Sequence, residues 1–182
     1  MPGMVCGHFH SAYHNLGAEP GVPLLENPPA YTAFRALANV QIALRSGFTT
    51  VVSAGSTYDI DASLEKAIER GLFEGPRIVP CSRDILTSAD SVKPWWLQSS
   101  EPCVLQCDGP DSVRRAVRSE IGRGVRVIKL FISGGHGQGR KGDRILALDE
   151  VEAAVRAAHD RGVRVRGHVV GKSNILHSIA AG

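Results

Sequence analysis

The feature that most constrains the fold of this chain is a regular alternation of apolar, β-rich runs with segments of helical periodicity. The apolar runs cover residues 4–10, 49–54, 77–82, 125–133 and 163–170. Each run is nearly continuous rather than alternating in polarity, as expected for a strand that is buried on both faces. Strands that alternate with helices predict parallel pairing through crossover connections, and therefore an α/β fold.

Two architectures fit this alternation, a doubly wound sheet and a (β/α) barrel. A complete eight-stranded barrel needs about 250 residues, whereas this chain has 182 residues and about five strand–helix units. Residues 180–182 read as a helix end that would normally lead into a sixth strand. The chain is therefore expected to be a fragment that forms one domain over residues 1–182 and lacks strands 6–8.

Composition and charge exclude several classes of protein. The net charge of +3 is mild and is not gathered into a long basic run, so nucleic acid is not an expected partner. A membrane partner is not expected either, because the chain has no apolar stretch of membrane-spanning length and no charged-then-apolar leader. The four cysteines lack CxxC spacing; Cys103 and Cys107 could pair, but reduced thiols and a cytoplasmic location are the default expectation.

The first apolar run ends in the triplet His8-Phe9-His10. Side chains alternate between the two faces of a strand, so residues at i and i+2 point the same way. Two imidazoles on one face at the end of a buried strand form half of a metal site. Such a triplet also arises often by chance, so the interpretation depends on residues further along the chain.

Lys129 and His168 are polar side chains inside the fourth and fifth apolar runs. A buried ammonium is costly unless it is paired, so the head group of Lys129 either reaches solvent or is neutral and captures carbon dioxide as a metal-bridging carbamate. A lone strand histidine such as His168 ordinarily bonds a backbone carbonyl. In a barrel, however, the C-terminal ends of strands one, four and five meet at one mouth, which would bring these residues to His8 and His10.

A glycine-rich loop follows the fourth run, and residues 137–142 match the pattern GxGxxG. A dinucleotide site needs such a loop to open a helix directly, and the next helical segment begins only near residue 149, so we reject that interpretation. A phosphate cradle that uses Arg140 and Lys141 is an alternative, although it leaves the histidine triplet unexplained.

Three further side chains are candidate substrate contacts: His136 in the glycine-rich loop, and Tyr13 and His14 just beyond the first strand. A solvated side chain is the ordinary alternative for His136, and His14 is the weaker candidate. Residues 86–110 have no clear period and contain Trp95-Trp96. Loops of this length often line active sites, so this segment is either a lid over substrate or a loop packed onto the body.

Four motifs, in order over nearly the whole chain, resemble the amidohydrolase superfamily, specifically its imidazolonepropionase-like and prolidase-like metal-dependent hydrolases. The motifs resemble the opening PGxxDxHxH, the second-strand GxTTVxDxG, the lysine strand and the fifth-strand VxxHxxG, and they lie at residues 2–10, 47–55, 127–135 and 165–171. Cys6 and Ser53 stand where the family usually has aspartate, beside rather than among the ligand positions.

The resemblance implies a (β/α)8 TIM-type barrel with one or two metal ions, usually Zn²⁺. His8 and His10 would bind the first metal, Lys129 would bridge as a carbamate, and His168 would bind the second. The resemblance also implies a further histidine on strand six, a general-base aspartate on strand eight and a flanking β-sandwich. The histidine and the aspartate would lie beyond Gly182 and the β-sandwich would be missing too, so the general base is not expected in this chain.

The leading prediction is therefore a metal-dependent hydrolase that cleaves an amide-like C–N bond, in a dipeptide or a cyclic amide, through a metal-activated water. The first alternative is a catalytically inactive truncated fragment, because five strands leave an exposed sheet edge. The second is a phosphate-binding barrel enzyme. The substrate, the number of metal ions and a homo-oligomeric state are left open.

Overall fold

The computed structural model describes residues 2–13, 27–89, 103–134 and 140–182. The strands in these ranges are β1 (Met4–Phe9), β2 (Phe48–Ser53), β3 (Arg77–Val79), β4 (Cys81–Leu86), β5 (Val104–Gln106), β6 (Val127–Phe131) and β7 (Arg164–His168). The helices are α1 (Pro29–Arg45), α2 (Ile60–Glu69), α3 (Pro110–Gly122), α4 (Leu148–His159) and α5 (Lys172–Ala181). Each of the five apolar runs contains a strand, and helices follow them as predicted.

The third apolar run differs from the prediction because it forms two strands and extends further. β3 and β4 are separated at Pro80, which has no N–H group to donate to a sheet ladder. The carbonyl of Pro80 accepts hydrogen bonds from the backbone N–H groups of Arg126 and Val127 at 2.9 and 3.2 Å. The backbone between β3 and β4 therefore stays hydrogen-bonded to the start of β6.

The named strands all pair in parallel, and their order follows the chain except for β5, which pairs with β4 on the side away from β6. β1 pairs with β2 and β2 with β3, while β4 pairs with β6 and β6 with β7. The backbone N–H of Ser56, just after β2, donates to the carbonyl of Ser82 in β4 at 2.9 Å, which links the two groups of paired strands. A doubly wound sheet would reverse its strand order. Here the strands of the five apolar runs, with β3 and β4 counted as one, follow each other in chain order, as in a (β/α) barrel. We call this set of five strands the arc.

Two apolar clusters lie between the helices and the strands. The larger joins β4, β5 and β6 to α3 and α4, and the smaller joins β2 and β3 to α1 and α2. Ile128 and Leu130 of β6 belong to the larger cluster. Because side chains alternate along a strand, Lys129 between them points to the opposite face, toward the concave side of the arc.

Two smaller expectations concern the thiols and the membrane. All four cysteines are free, so Cys103 and Cys107 do not form the disulfide that their spacing allows. Over the ranges that the structure describes, no helix combines the length and the apolar character that crossing a membrane requires.

Candidate metal centre

A β-bulge lies at the end of β1, where the histidine pair begins. Cys6 and Phe9 are three residues apart, but their partners on β2 are only two apart, so Gly7 and His8 lie opposite a single residue. A bulge of this kind bends the strand and changes the direction of its side chains, and bulges are frequent next to active sites. The bulge therefore sets the position of His8 relative to β2.

The rings of His8 and His10 lie side by side. Their Nε2 atoms are 3.3 Å apart and their ring centroids 5.2 Å apart. Zinc–nitrogen bonds of about 2.0–2.1 Å at a tetrahedral angle hold two ligand nitrogens about 3.3 Å apart. The same distance permits an N–H···N hydrogen bond between the rings, and in either case the two Nε2 atoms are adjacent.

The environment of His10 favours the neutral imidazole, which is the form that ligates a metal. Burial lowers the pKa of His10 to about 4, and the nearby charge of Lys129 adds to the effect. The ring stacks on Tyr13 with centroids 4.2 Å apart and planes 2° apart. His10 is therefore held in place by an aromatic neighbour and is uncharged near pH 7.

The turn after β1 is anchored to two helices. The side-chain amide of Asn39 on α1 donates to the carbonyls of Ser11 and Tyr13, both at 2.8 Å. The hydroxyls of Ser11 and Ser53 donate to the buried carboxylate of Asp61 in the first turn of α2. Tyr13, predicted as a substrate contact, is thus fixed against His10.

Lys129 is buried, with only 4% of its surface exposed. Burial lowers the pKa of its ammonium, while the charge of Asp84 opposes this shift. Its Nζ lies 5.5 Å from the ring centroid of Phe131, and its backbone N–H donates to Ser82 Oγ at 2.8 Å. The head group therefore does not extend into solvent, which was the ordinary alternative for this residue.

His168 is the last residue of β7 and pairs in register with Phe131 of β6. The two rings stack with centroids 4.8 Å apart and an interplanar angle of 25°. Phe131 thus contacts the ring of His168 and also lies near the Nζ of Lys129. His168 and Lys129 are at the same end of the arc, joined through this phenyl ring.

The complete ligand set expected from the sequence stays a prediction. Among the described residues, no three side chains of the His, Cys, Asp or Glu type are gathered closely enough to hold a metal ion. The structure brings His8 and His10 together and places the buried Lys129 within electrostatic range of His10. The predicted contacts His14 and His136 lie outside the described residues, as does Trp95-Trp96.

Sequence reasoning missed Asp84, which pairs in register with Lys129 and is 9% exposed. Its Oδ1 atom is buried and has no hydrogen-bond partner within the described ranges. Gly55 allows the Asp84 carboxylate to come close to His10. The φ of Gly55 is +141°, and a Cβ at this position would lie 2.5 Å from Asp84 Oδ1 and 3.6 Å from His10 Cε1. Asp84 therefore faces the histidine pair across Gly55. The detectable signal was one acidic residue just after the third run, directly before Ile85 and Leu86.

The pKa of Asp84 predicts a pH-dependent stability. Burial raises the pKa of Asp84 to about 7, and the charge of Lys129 opposes only part of this rise. The pKa of Asp84 is higher in the folded state than in the unfolded state, so ionisation of this carboxyl destabilises the fold. The contribution of Asp84 to the free energy of unfolding is therefore fully present below about pH 4 and is lost as the pH rises through 7. Asp84→Asn is expected to gain up to about 4 kcal/mol of unfolding free energy relative to wild type between pH 4 and 8.

Urea denaturation of the full chain across this pH range measures the gain. Asp160→Asn, at the exposed C-terminal end of α4, is the matched control and is not expected to show it. A constant difference between Asp84→Asn and wild type from pH 4 to 8 would contradict the prediction.

The chain is similar to known proteins over its whole length. Residues 1–182 match the model of the Amidohydrolase family. Ochratoxinase from Aspergillus niger is 25% identical over 203 residues, an alignment that covers 100% of this chain and 41% of ochratoxinase. A crystal structure of a prolidase complexed with N-methylphosphonate-L-proline is 29% identical, with a TM-score of 0.86 and coverage of 100% of this chain and 46% of the prolidase.

A crystal structure of a Xaa-Pro dipeptidase with methionine bound in its active site is also similar. It is 27% identical with a TM-score of 0.84, and the match covers 100% of this chain and 46% of the dipeptidase. The chain thus spans less than half the length of these relatives. The likeness confirms the predicted partial (β/α)8 TIM-type barrel, and the chain belongs to the amidohydrolase family.

Proposed function

We propose that the protein is a metal-dependent hydrolase that cleaves an amide-like C–N bond, in a dipeptide or a cyclic amide. The observation that carries this proposal is the His8–His10 pair, whose Nε2 atoms are 3.3 Å apart. Family membership supports hydrolysis of C–N bonds, and the likeness to a prolidase and a Xaa-Pro dipeptidase supports a dipeptide substrate.

The donor set suits a divalent ion such as Zn²⁺, which takes neutral imidazole nitrogens and carboxylate oxygens. When bound, such an ion polarises the scissile carbonyl and makes hydroxide available near pH 7. His8 and His10 would hold it through Nε2, with His168 as a further ligand. The Tyr13 ring and the Asn39 hydrogen bonds keep the turn after His10 in one conformation.

Lys129 would supply the oxygen ligand after reaction with carbon dioxide. Its neutral Nζ forms a bond to the carbon of CO₂ and releases one proton to solvent, which leaves a carbamate with a carboxylate end. Burial supports this step, because desolvation favours the neutral amine over the ammonium. The ordinary lysine, paired electrostatically with Asp84, is the competing state.

The phosphate-cradle alternative gains no support from the geometry. Arg140 and Lys141 are both exposed, next to the undescribed residues 135–139.

Removal of metal provides the direct test of the proposed function. We expect the full-length protein to hydrolyse Xaa-Pro dipeptides or cyclic amides, and dialysis against a chelator to lower kcat/KM by about 10³-fold or more. Added Zn²⁺ or another divalent ion should restore activity. Protein treated with chelator already saturated with Zn²⁺ is the control. Turnover that survives complete removal of metal would contradict the proposal.

A further inference from the structure

Arg166 connects the two ends of the strand arc. It lies on β7, and its Nη1 donates to the carbonyl of Ser53 at 2.9 Å while its Nη2 donates to the carbonyl of Gly7. The acceptors belong to β2 and β1. Because β1 and β7 lie at opposite ends of the strand order and do not pair with each other in the described chain, the guanidinium bridges them across the concave side.

Both acceptors flank the histidine pair. Gly7 immediately precedes His8 and is part of the β-bulge, and Ser53 pairs in register with Phe9, the residue between the two histidines. The guanidinium is planar and carries five N–H donors in a fixed fork, so it can bind two carbonyls at a defined separation. Arg166 therefore holds the bulge in contact with β2 and β7 at once.

The position of Arg166 on its own strand completes the geometry. It lies two residues before His168, with its side chain on the same face of β7. It also pairs in register with Lys129. One side chain thus ties together the strands that carry His8, His10 and His168.

We propose that Arg166 is a positioning residue that sets the distance between the His8–His10 pair and His168. The inference rests on the proposed metal centre, because it assigns to Arg166 the geometry of that centre's ligands. Metal–ligand distances tolerate deviations of only about 0.2 Å. A small shift of the β1 bulge away from β7 would therefore weaken metal binding without unfolding the chain.

Titration of the full chain with Co²⁺ tests the proposal, because the visible absorption bands of bound Co²⁺ report the arrangement of its ligands. Arg166→Met is expected to weaken Co²⁺ affinity by about 10–100-fold and to change the band pattern. Arg166→Lys keeps the charge but not the planar fork, and should bind with intermediate affinity. Arg164→Met, at an exposed arginine two residues earlier on the same strand, is the matched control and should leave both readouts unchanged.

His8→Ala, titrated in parallel, separates this inference from the proposed function. If His8→Ala binds Co²⁺ like wild type, the metal centre itself is wrong and the role of Arg166 is overturned with it. If His8→Ala loses binding while folded Arg166→Met keeps the wild-type affinity and bands, only the positioning role is overturned, even where its Tm falls. Should Arg166→Met not fold, the bands of Arg166→Lys decide: wild-type bands overturn the proposal and altered bands support it.

Discussion

Replacing His10 with alanine is expected to remove metal binding at the His8–His10 pair and to lower kcat/KM of the full-length protein by at least about 10³-fold. The reason is geometric: the Nε2 atoms of His8 and His10 lie 3.3 Å apart, and alanine leaves one of these two nitrogens. The metal content of the purified variant, measured by elemental analysis, and the kinetics of dipeptide or cyclic-amide hydrolysis give the two readouts.

The controls for this variant come from the same chain. His8→Ala should give the same loss, because in the proposed centre both rings bind the same metal ion. His159→Ala, at an exposed position at the end of α4, should keep the metal content and the activity of wild type. A folded His10→Ala protein with undiminished metal content would show that the histidine pair is not a metal site.

The strand β6 could be predicted from the sequence because of how it is buried. All five of its residues are buried, so its sequence is an apolar run interrupted only by Lys129. The strand β5 has three residues and shows no period, so the stretch from 86 to 110 read as loop throughout. Pro80 is visible in the sequence, but the break between β3 and β4 is not, because the effect of this proline depends on the strand beside it.

The candidate site was predictable where one strand contains the signal, and not where two strands must be compared. His8 and His10 are two residues apart at a strand end, which the period of a strand predicts. The β-bulge of β1, by contrast, depends on the register of β1 with β2, a strand about 40 residues away in the sequence. Asp84 and Arg166 were missed for the same reason, because they flank Lys129 only once the register of β4, β6 and β7 is known.

Replacing Lys129 with methionine is expected to lower kcat/KM of the full-length protein by about 10³-fold or more, because the bridging carboxylate can no longer form. Methionine is similar in length and apolar, so it suits a position that is 4% exposed, and the chain should stay folded. Wild-type protein equilibrated with ¹³C-labelled carbon dioxide should show a carbamate carbon by NMR, and Lys129→Met should not. Lys66→Met, at an exposed position on α2, should keep both the signal and the activity.

The two readouts together distinguish the carbamate from an ordinary buried lysine. If Lys129 acts only as the cation beside Asp84, Lys129→Met will lose stability at high pH and wild type will show no ¹³C signal. If it acts as the carbamate, wild type will show the signal, and a small carboxylate such as acetate, added to Lys129→Met, should restore part of the turnover by supplying the missing oxygen ligand. Full activity in folded Lys129→Met would remove the residue from the mechanism, and the two histidines and His168 would then have to hold the metal without it.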